Sequence, residues 1–505
     1  MNKMTSQQQQ AAVAAKRQKT AASASRDVAT SARAASDFAE LFPGLPRVEY
    51  RPDAGPEDVL CYRYYNASER IHGRSMEDWL RPALSLGHAL RPTGEDSCGQ
   101  PTFQRQPPWS DGTNSLENYQ RRIRAAFELC GKLGVRQWAA WDRDLAPEGD
   151  SLEETQRNLE DSVDLCLELQ QLAQRAGTTL RPLWLAADLH SHPRYSQGAA
   201  TAPDAGVVAT AGAQVRRALQ AAQRLAADCF LFWGGREGYA TPLNTDPARE
   251  LRGYARLLRM TAEYRDRLGY RGQLLLETTS RPCAGGAAGG AAGGATQRRY
   301  DDCAAAAVCL LKQYGLDRHY KLSAPPGHQA VISTAYGMLG CINATSGAFP
   351  PDVRDATVLM KSVVEQGGVQ PGGLLVGVAL RRESLDSRDH GRDVLAASVA
   401  VIDCYARALR AAVKIVADGA FSRNLQQRYL SFHSGFGARL SSGEATLEDC
   451  EDYARKHSQQ QLQLLQQQGA AQGGQGQAQG CSGRPEHWEA LCRRYVDAVA
   501  DTSRE

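Results

Sequence analysis

What this sequence lacks narrows its function before any motif is considered. No run approaches the ~20 consecutive apolar residues that a helix needs to cross a bilayer, so no membrane span is expected. Charge excess of either sign is missing too: 59 Lys and Arg stand against 56 Asp and Glu. That balance gives no footing to nucleic acid or to an anionic surface, and the expected partner is a small neutral molecule. The 13 cysteines are odd in number and scattered without CxxC spacing, which argues against a disulfide framework and against a zinc site. A reducing compartment, cytoplasmic or organellar rather than secretory, is the expected setting. A phosphate loop is also missing, because FWGGREG (232–238) has neither a GK[ST] ending nor dinucleotide spacing.

The ends differ in composition from the middle. Residues 1–37 carry a Gln run, many Ala and Ser, and five basic residues (Lys3, Lys16, Arg17, Lys19, Arg26) before the first acid, Asp27. Two readings stand: an organellar transit peptide, or a disordered Ala/Gln tail, which the lack of amphipathic periodicity favours. The stretch CAGGAAGGAAGGAT (283–296) has too little apolar surface to order itself and reads as a loop insertion. A Gln and Gly/Gln tract at 458–480 tethers a final amphipathic helix, PEHWEALCRRYVDAV, which is expected to dock back on the protein.

Between residues 38 and 418, short apolar runs alternate with long segments of helical periodicity. Helices are expected at 115–132, 152–176, 206–227, 246–268, 301–314 and 392–417, with a capping box from Ser151 and Glu154 at the second. Buried parallel strands are expected at 59–65, 136–141, 181–187, 229–233, 273–277, 320–323, 339–343 and 373–380. Eight strands, most of them followed by a helix, point to a (β/α)8 TIM barrel, with an open doubly wound sheet as the alternative. The active end of such a barrel lies where strands run into loops, and there stands WDRDLAPEGD (141–150). Its tryptophan donates one hydrogen bond and accepts none, so it takes no proton from a substrate.

Several motifs together resemble the xylose isomerase family: YRYYN (62–66), DRDLAPEGD (142–150), SHPRYSQGAAT (191–201), FWGGREGY (232–239) with LNTD (243–246), QYGLDRHYKL (313–322), GMLG (337–340), PGG (371–373) and RYLSFHSGFG (428–437). Their order and spacing are similar to that family from Phe38 to Phe436, and SGRPEHWEAL (482–491) resembles its last helix. The resemblance implies a TIM barrel over 38–418 and an extended C-terminal helical arm over 419–505 that assembles a homotetramer or homodimer. It implies a metal-dependent interconversion of D-xylose and D-xylulose, in which two divalent cations (Mg, Mn or Co) stabilise charge during a hydride shift and a His–Asp pair assists ring opening.

Carried over position by position, the resemblance also shows losses. The ring-opening histidine position is Trp141, although its supporting aspartate remains as Asp144. Among metal-ligand positions, Glu277 and His328 are kept, but the others are Pro325, Asn343 and Gly377, and SGAFPPD (346–352) lacks the family's paired aspartates. The lysine that usually follows the fifth strand is Thr279. Of the sugar pocket, Trp184 is kept, a second tryptophan position is Gly87 beside His88, and the phenylalanine that enters a partner's site is Cys98. Such a chain is expected to hold cations weakly and to be an impaired or inactive isomerase. The alternatives are a working isomerase whose true sequence has more between His328 and Phe349, a non-catalytic sugar-binding or assembly subunit, and a new activity on the same barrel, for which the sequence offers no new nucleophile–base pairing. In structural terms, His328 without partners reads as a hydrogen-bonded structural histidine, and Asp142, Arg143 and Asp144 read as braces of the barrel rim.

Overall fold

The computed structural model describes residues 41–90, 109–278, 298–345, 350–377, 390–467 and 485–502. The 1–37 tail, the 283–296 insertion, Cys98 and Thr279 lie outside them. The chain divides into two units, 1–45 and 46–505. The described part of the first is a turn in which the Leu45 amide donates to the Phe42 carbonyl (3.3 Å).

In the second unit eight parallel strands close a barrel: β1 Pro82–Ser85, β2 Gln137–Trp141, β3 Arg181–Ala186, β4 Cys229–Phe232, β5 Gln273–Glu277, β6 Tyr320–Ala324, β7 Leu339–Asn343 and β8 Leu374–Val376. Closure is explicit in the register of β8 on β1, Leu374 opposite Pro82 and Val376 opposite Leu84, which excludes the open sheet. Around it run α1 Leu116–Leu133, α2 Leu152–Arg175, α3 Ala205–Arg224, α4 Pro247–Leu268, α5 Ala304–Gln313, α6 His328–Ala335, α7 Val353–Gln366 and α8 His390–Asp418. Runs such as CFLF and LGCIN are buried along their whole length, because helices cover the outer face while side chains fill the barrel. At the start of α2 the Ser151 hydroxyl accepts the Glu154 amide (3.1 Å), while the Glu154 carboxylate reaches the amide of Asp150 (2.8 Å) rather than that of Ser151.

Two expectations need correction. The first barrel strand is Pro82–Ser85, not 59–65, where only Cys61–Tyr62 is extended, paired with Glu49–Tyr50. The aromatic run at 62–65 is held from outside the barrel, by the Asp403 carboxylate of α8 accepting the amides of Arg63 (3.1 Å), Tyr64 (2.7 Å) and Tyr65 (2.9 Å). In the short stretch after His328 a helix is present, α6, whose eight residues make about two turns between β6 and β7. The expected tether is partly helical: a helix spanning Leu447–Gln467 runs into the Gln tract, as suits a good helix former, and residues 468–480 lie outside the described part.

Beyond α8 the chain continues through α9 Ala420–Arg428, α10 Gly435–Ser442, α11 Leu447–Gln467 and α12 Pro485–Thr502. The last docks as expected, with Val496 and Val499 against Ala411 of α8. By contrast α9 and α10 bury no residue, and Leu425, Tyr429, Leu430, Phe432 and Leu440 stand exposed. No described helix is long and apolar enough to cross a membrane.

Candidate active site at the barrel mouth

Trp141 closes β2 and is buried to 5% exposure. Its amide donates to Asp144 Oδ2 at 3.0 Å, so the aspartate expected to orient a catalytic imidazole instead caps the first turn after the strand. The indole meets Trp184 edge-on, with centroids 5.2 Å apart at 72°, and lies 5.4 Å from the His88 ring. Small neighbours make the room: Ala83, Ala139 and Ala186 line the same interior cluster. Gly87 is the tightest of these accommodations. A Cβ there would sit 2.9 Å from Trp141 Cζ3 and 2.9 Å from Asp144 Oδ2, so the indole occupies space that a side chain at 87 would need.

The rest of the β2 exit is bracing. Asp142 Oδ1 accepts the Asp188 amide (2.8 Å) and Oδ2 accepts Gln214 Nε2 (2.8 Å), while burial pushes its carboxyl above the usual range. Arg143 pairs with Glu148 at 3.9 Å. FWGGREGY is scaffold as well: buried Glu237 accepts the amides of Ala199 (3.1 Å), Ala200 (2.9 Å) and Thr201 (3.0 Å), tying the β3 loop to β4.

The positions expected from the resemblance to hold metal do not converge. Glu277, at the end of β5, is buried and its Oε1 accepts Asn343 Nδ2 from β7 at 2.9 Å. Asn343 Oδ1 in turn accepts the Thr345 amide (3.1 Å) and hydroxyl (2.5 Å), which fixes the amide group toward the carboxyl. Glu277 Oε2 is buried without a hydrogen-bond partner. Desolvation, partly offset by the Asn343 bond, pushes this carboxyl up to about 8. His328 opens α6 with its side chain exposed, and Pro325 is buried. At Gly377 a Cβ would come 2.8 Å from His88 Cβ and 3.0 Å from Ser85 Cβ, so no carboxylate fits there without displacing His88. Asp352 caps α7 by accepting the amides of Arg354 (2.9 Å) and Asp355 (3.0 Å), and residues 346–349 lie outside the described part. Among the described residues no group of three His, Cys, Asp or Glu side chains is placed to hold a cation. Divalent cations of the Mg or Mn type want several oxygen ligands, and a lone, neutralised carboxyl does not fit them.

Of the two pocket residues carried over, Trp184 is fully buried inside the barrel, and His88 Nδ1 lies 2.9 Å from Ser85 Oγ beside β1. The sequence reading missed Asp188 and His190, two residues apart just beyond β3. His190 Nδ1 is 3.1 Å from Asp188 Oδ1, and the ring packs 4.4 Å from that of Trp233. The only available signal was a D-x-H triplet following a buried apolar run.

Protein relatives settle the lineage. A xylose isomerase of Arabidopsis thaliana is 37% identical over 85% of this chain and 89% of its own length. The xylose isomerases of Hordeum vulgare (37%, covering 82% and 86%) and Caldicellulosiruptor bescii (36%, covering 82% and 94%) match nearly as far. The chain belongs to the xylose isomerase family. The family model of the XylA2 C-terminal domain matches residues 425–464, which span α9 to α11 of the arm. Among solved structures, an L-ribulose 3-epimerase (10% identity, TM-score 0.40, covering 62% of this chain and 95% of its own) is a distant likeness. So is a putative xylose isomerase of Rhodospirillum rubrum (15%, TM-score 0.39, covering 65% and 98%). At that distance neither says anything of chemistry.

Proposed function

We propose that this xylose isomerase family member has kept the family's barrel and has lost its two-cation chemistry, so that it does not interconvert D-xylose and D-xylulose at a useful rate. The observation that carries this reading is the Glu277–Asn343 pair, in which the one retained carboxylate is buried, bonded to an amide and held away from ionisation. Trp141 supports it by filling the place of the expected base. Each missing charged ligand removes a charge-assisted contact to a cation. Calorimetric titration of the purified chain with Mg²⁺, Mn²⁺ or Co²⁺ is therefore expected to show no stoichiometric tight binding. Two tight sites per chain would overturn the reading.

A small neutral sugar remains the ligand class that this proposal favours for the barrel mouth, given the lineage and the indole-rich lining.

One observation favours a role in assembly beside this. The apolar side chains left exposed on the arm cluster over 425–440, and a surface of that kind marks a protein contact. We infer that the arm covers a second copy of the chain, as a homodimer or homotetramer. Phe432→Asp with Leu430→Asp is expected to shift the molecule to a smaller species in sedimentation velocity, with the barrel still folded by circular dichroism. An unchanged sedimentation coefficient would remove the arm from the interface.

A further inference from the structure

We propose that the outer face of α2 on one copy of the chain packs antiparallel against the outer face of α4 on a second copy, through two complementary rows of charge. This contact is separate from the arm and rests on no reading of the barrel mouth.

Five exposed charged residues run along α2: Glu153, Arg157, Asp161, Asp164 and Glu168. Their spacing of 4, 4, 3 and 4 residues keeps them in a stripe about 80° wide and about 22 Å long on an α-helix. α4 carries a row of the same construction, Arg252, Arg256, Arg259, Glu263 and Arg267, also exposed. Taken from its C-terminal end, its spacing is again 4, 4, 3 and 4 residues. Laid antiparallel, the rows match at every position: Glu153 with Arg267, Arg157 with Glu263, Asp161 with Arg259, Asp164 with Arg256 and Glu168 with Arg252. The inverted positions match too, because the one arginine among the acids meets the one glutamate among the arginines. Laid parallel, the same rows set Arg157 against Arg256 and Asp164 against Glu263, so the charges select the antiparallel orientation.

Within one chain most of these charges are not neutralised. Asp164 pairs with Arg224 but keeps 60% of its side chain exposed, and Arg259 donates to the Tyr314 carbonyl (2.6 Å). Among the described residues, Asp161, Glu168, Arg252 and Arg256 make no ion pair or side-chain hydrogen bond. Like charges three and four residues apart weaken a helix, and both rows contain them. A facing row of opposite sign relieves that repulsion on both helices at once. α3 packs between α2 and α4, so each copy presents both halves of the contact. A nucleic acid or an anionic surface would be drawn to α4 and repelled by the acids of α2, whereas a second copy meets both rows. One helix pair covers less than the roughly 1,200 Å² of a stable interface, so the contact is weak and sensitive to salt.

The test is sedimentation velocity of the full-length protein over a dilution series at about 20 mM and about 500 mM salt. Wild type should show an association step at low salt that high salt removes, while the apolar contact of the arm persists. Asp161→Arg with Glu168→Arg, which leaves Asp164 on Arg224, should weaken that step by about tenfold or more in apparent Kd. Arg252→Glu with Arg259→Glu should do the same, with circular dichroism confirming that both variants are folded. Mixing the two variants, or placing all four substitutions in one chain, should restore the step, because two of the pairs re-form with their signs exchanged. Such rescue is not expected of charges that only keep the surface solvated. Wild type that sediments alike at both salt concentrations, variants that associate as wild type does, or a mixture as weak as its components overturns the proposal. The salt-resistant species reports on the arm alone, so failure of that reading is distinguishable.

Discussion

Trp141→His is expected to lower the thermal stability of the protein and to restore no xylose turnover. Burying an indole contributes on the order of 2–3 kcal/mol, and this one has edge-to-face contact with Trp184 besides. Replacing it with the smaller, polar imidazole leaves a partly filled interior, at a cost of roughly 1–4 kcal/mol. Turnover stays absent because Pro325, Asn343 and Gly377 still offer no carboxylate. Gly87 should show coupling to the same position. Gly87→Ala forces a Cβ against Trp141 Cζ3 and Asp144, and should be less damaging in the Trp141→His background, where one of the two clashes is gone. Thermal melts of the two single variants and the double variant measure this coupling. Strict additivity would mean that the indole does not depend on the glycine.

Glu277→Gln is expected to stabilise the protein, increasingly so as the pH rises. An acid whose pKa is raised on folding, here from 4.5 to about 8, binds its proton more tightly in the folded chain. Its contribution to stability is therefore present below about pH 4.5, is lost progressively as the pH rises toward 8, and is level above that. Glutamine keeps the acceptor for Asn343 Nδ2 and has no charge to desolvate. The gain should be small near pH 5 and rise toward a ceiling of about 5 kcal/mol above pH 8, the scale set by a shift of this size. Melts at pH 5, 7 and 9 check it. A loss of stability in Glu277→Gln, matched by a fall in the wild-type melting temperature on chelation, would mean that the carboxylate holds a cation after all.

Strands β2 to β7 were legible because each is a short apolar run buried on both faces and set off by turn residues or helical periodicity. β1 was not. Its sequence PALS is short and begins with proline, and the aromatic run at 62–65 gives a stronger strand signal while serving α8 through Asp403. α6 escaped for a related reason, since eight residues opening at Gly327 without a side-chain cap give little periodicity to read. At the site, single-residue losses show in the motifs themselves. What replaced them does not, because it depends on partners far apart in the chain: Asn343 turned onto Glu277, and Gly87 yielding to Trp141. Asp188 and His190 lay in plain view within ADLHSHPRY. Nothing in the sequence says that the imidazole faces Trp141 and Trp233.

The decisive experiment is a direct one: D-xylose incubated with the purified wild-type chain and excess Mg²⁺, Mn²⁺ or Co²⁺, and D-xylulose measured with and without a chelator. With Trp141 in place of the base and Glu277 bonded to Asn343, xylulose should form no faster than in the protein-free control, whichever cation is present. Xylulose that accumulates in proportion to protein, and stops on chelation, would contradict the loss of the two-cation site.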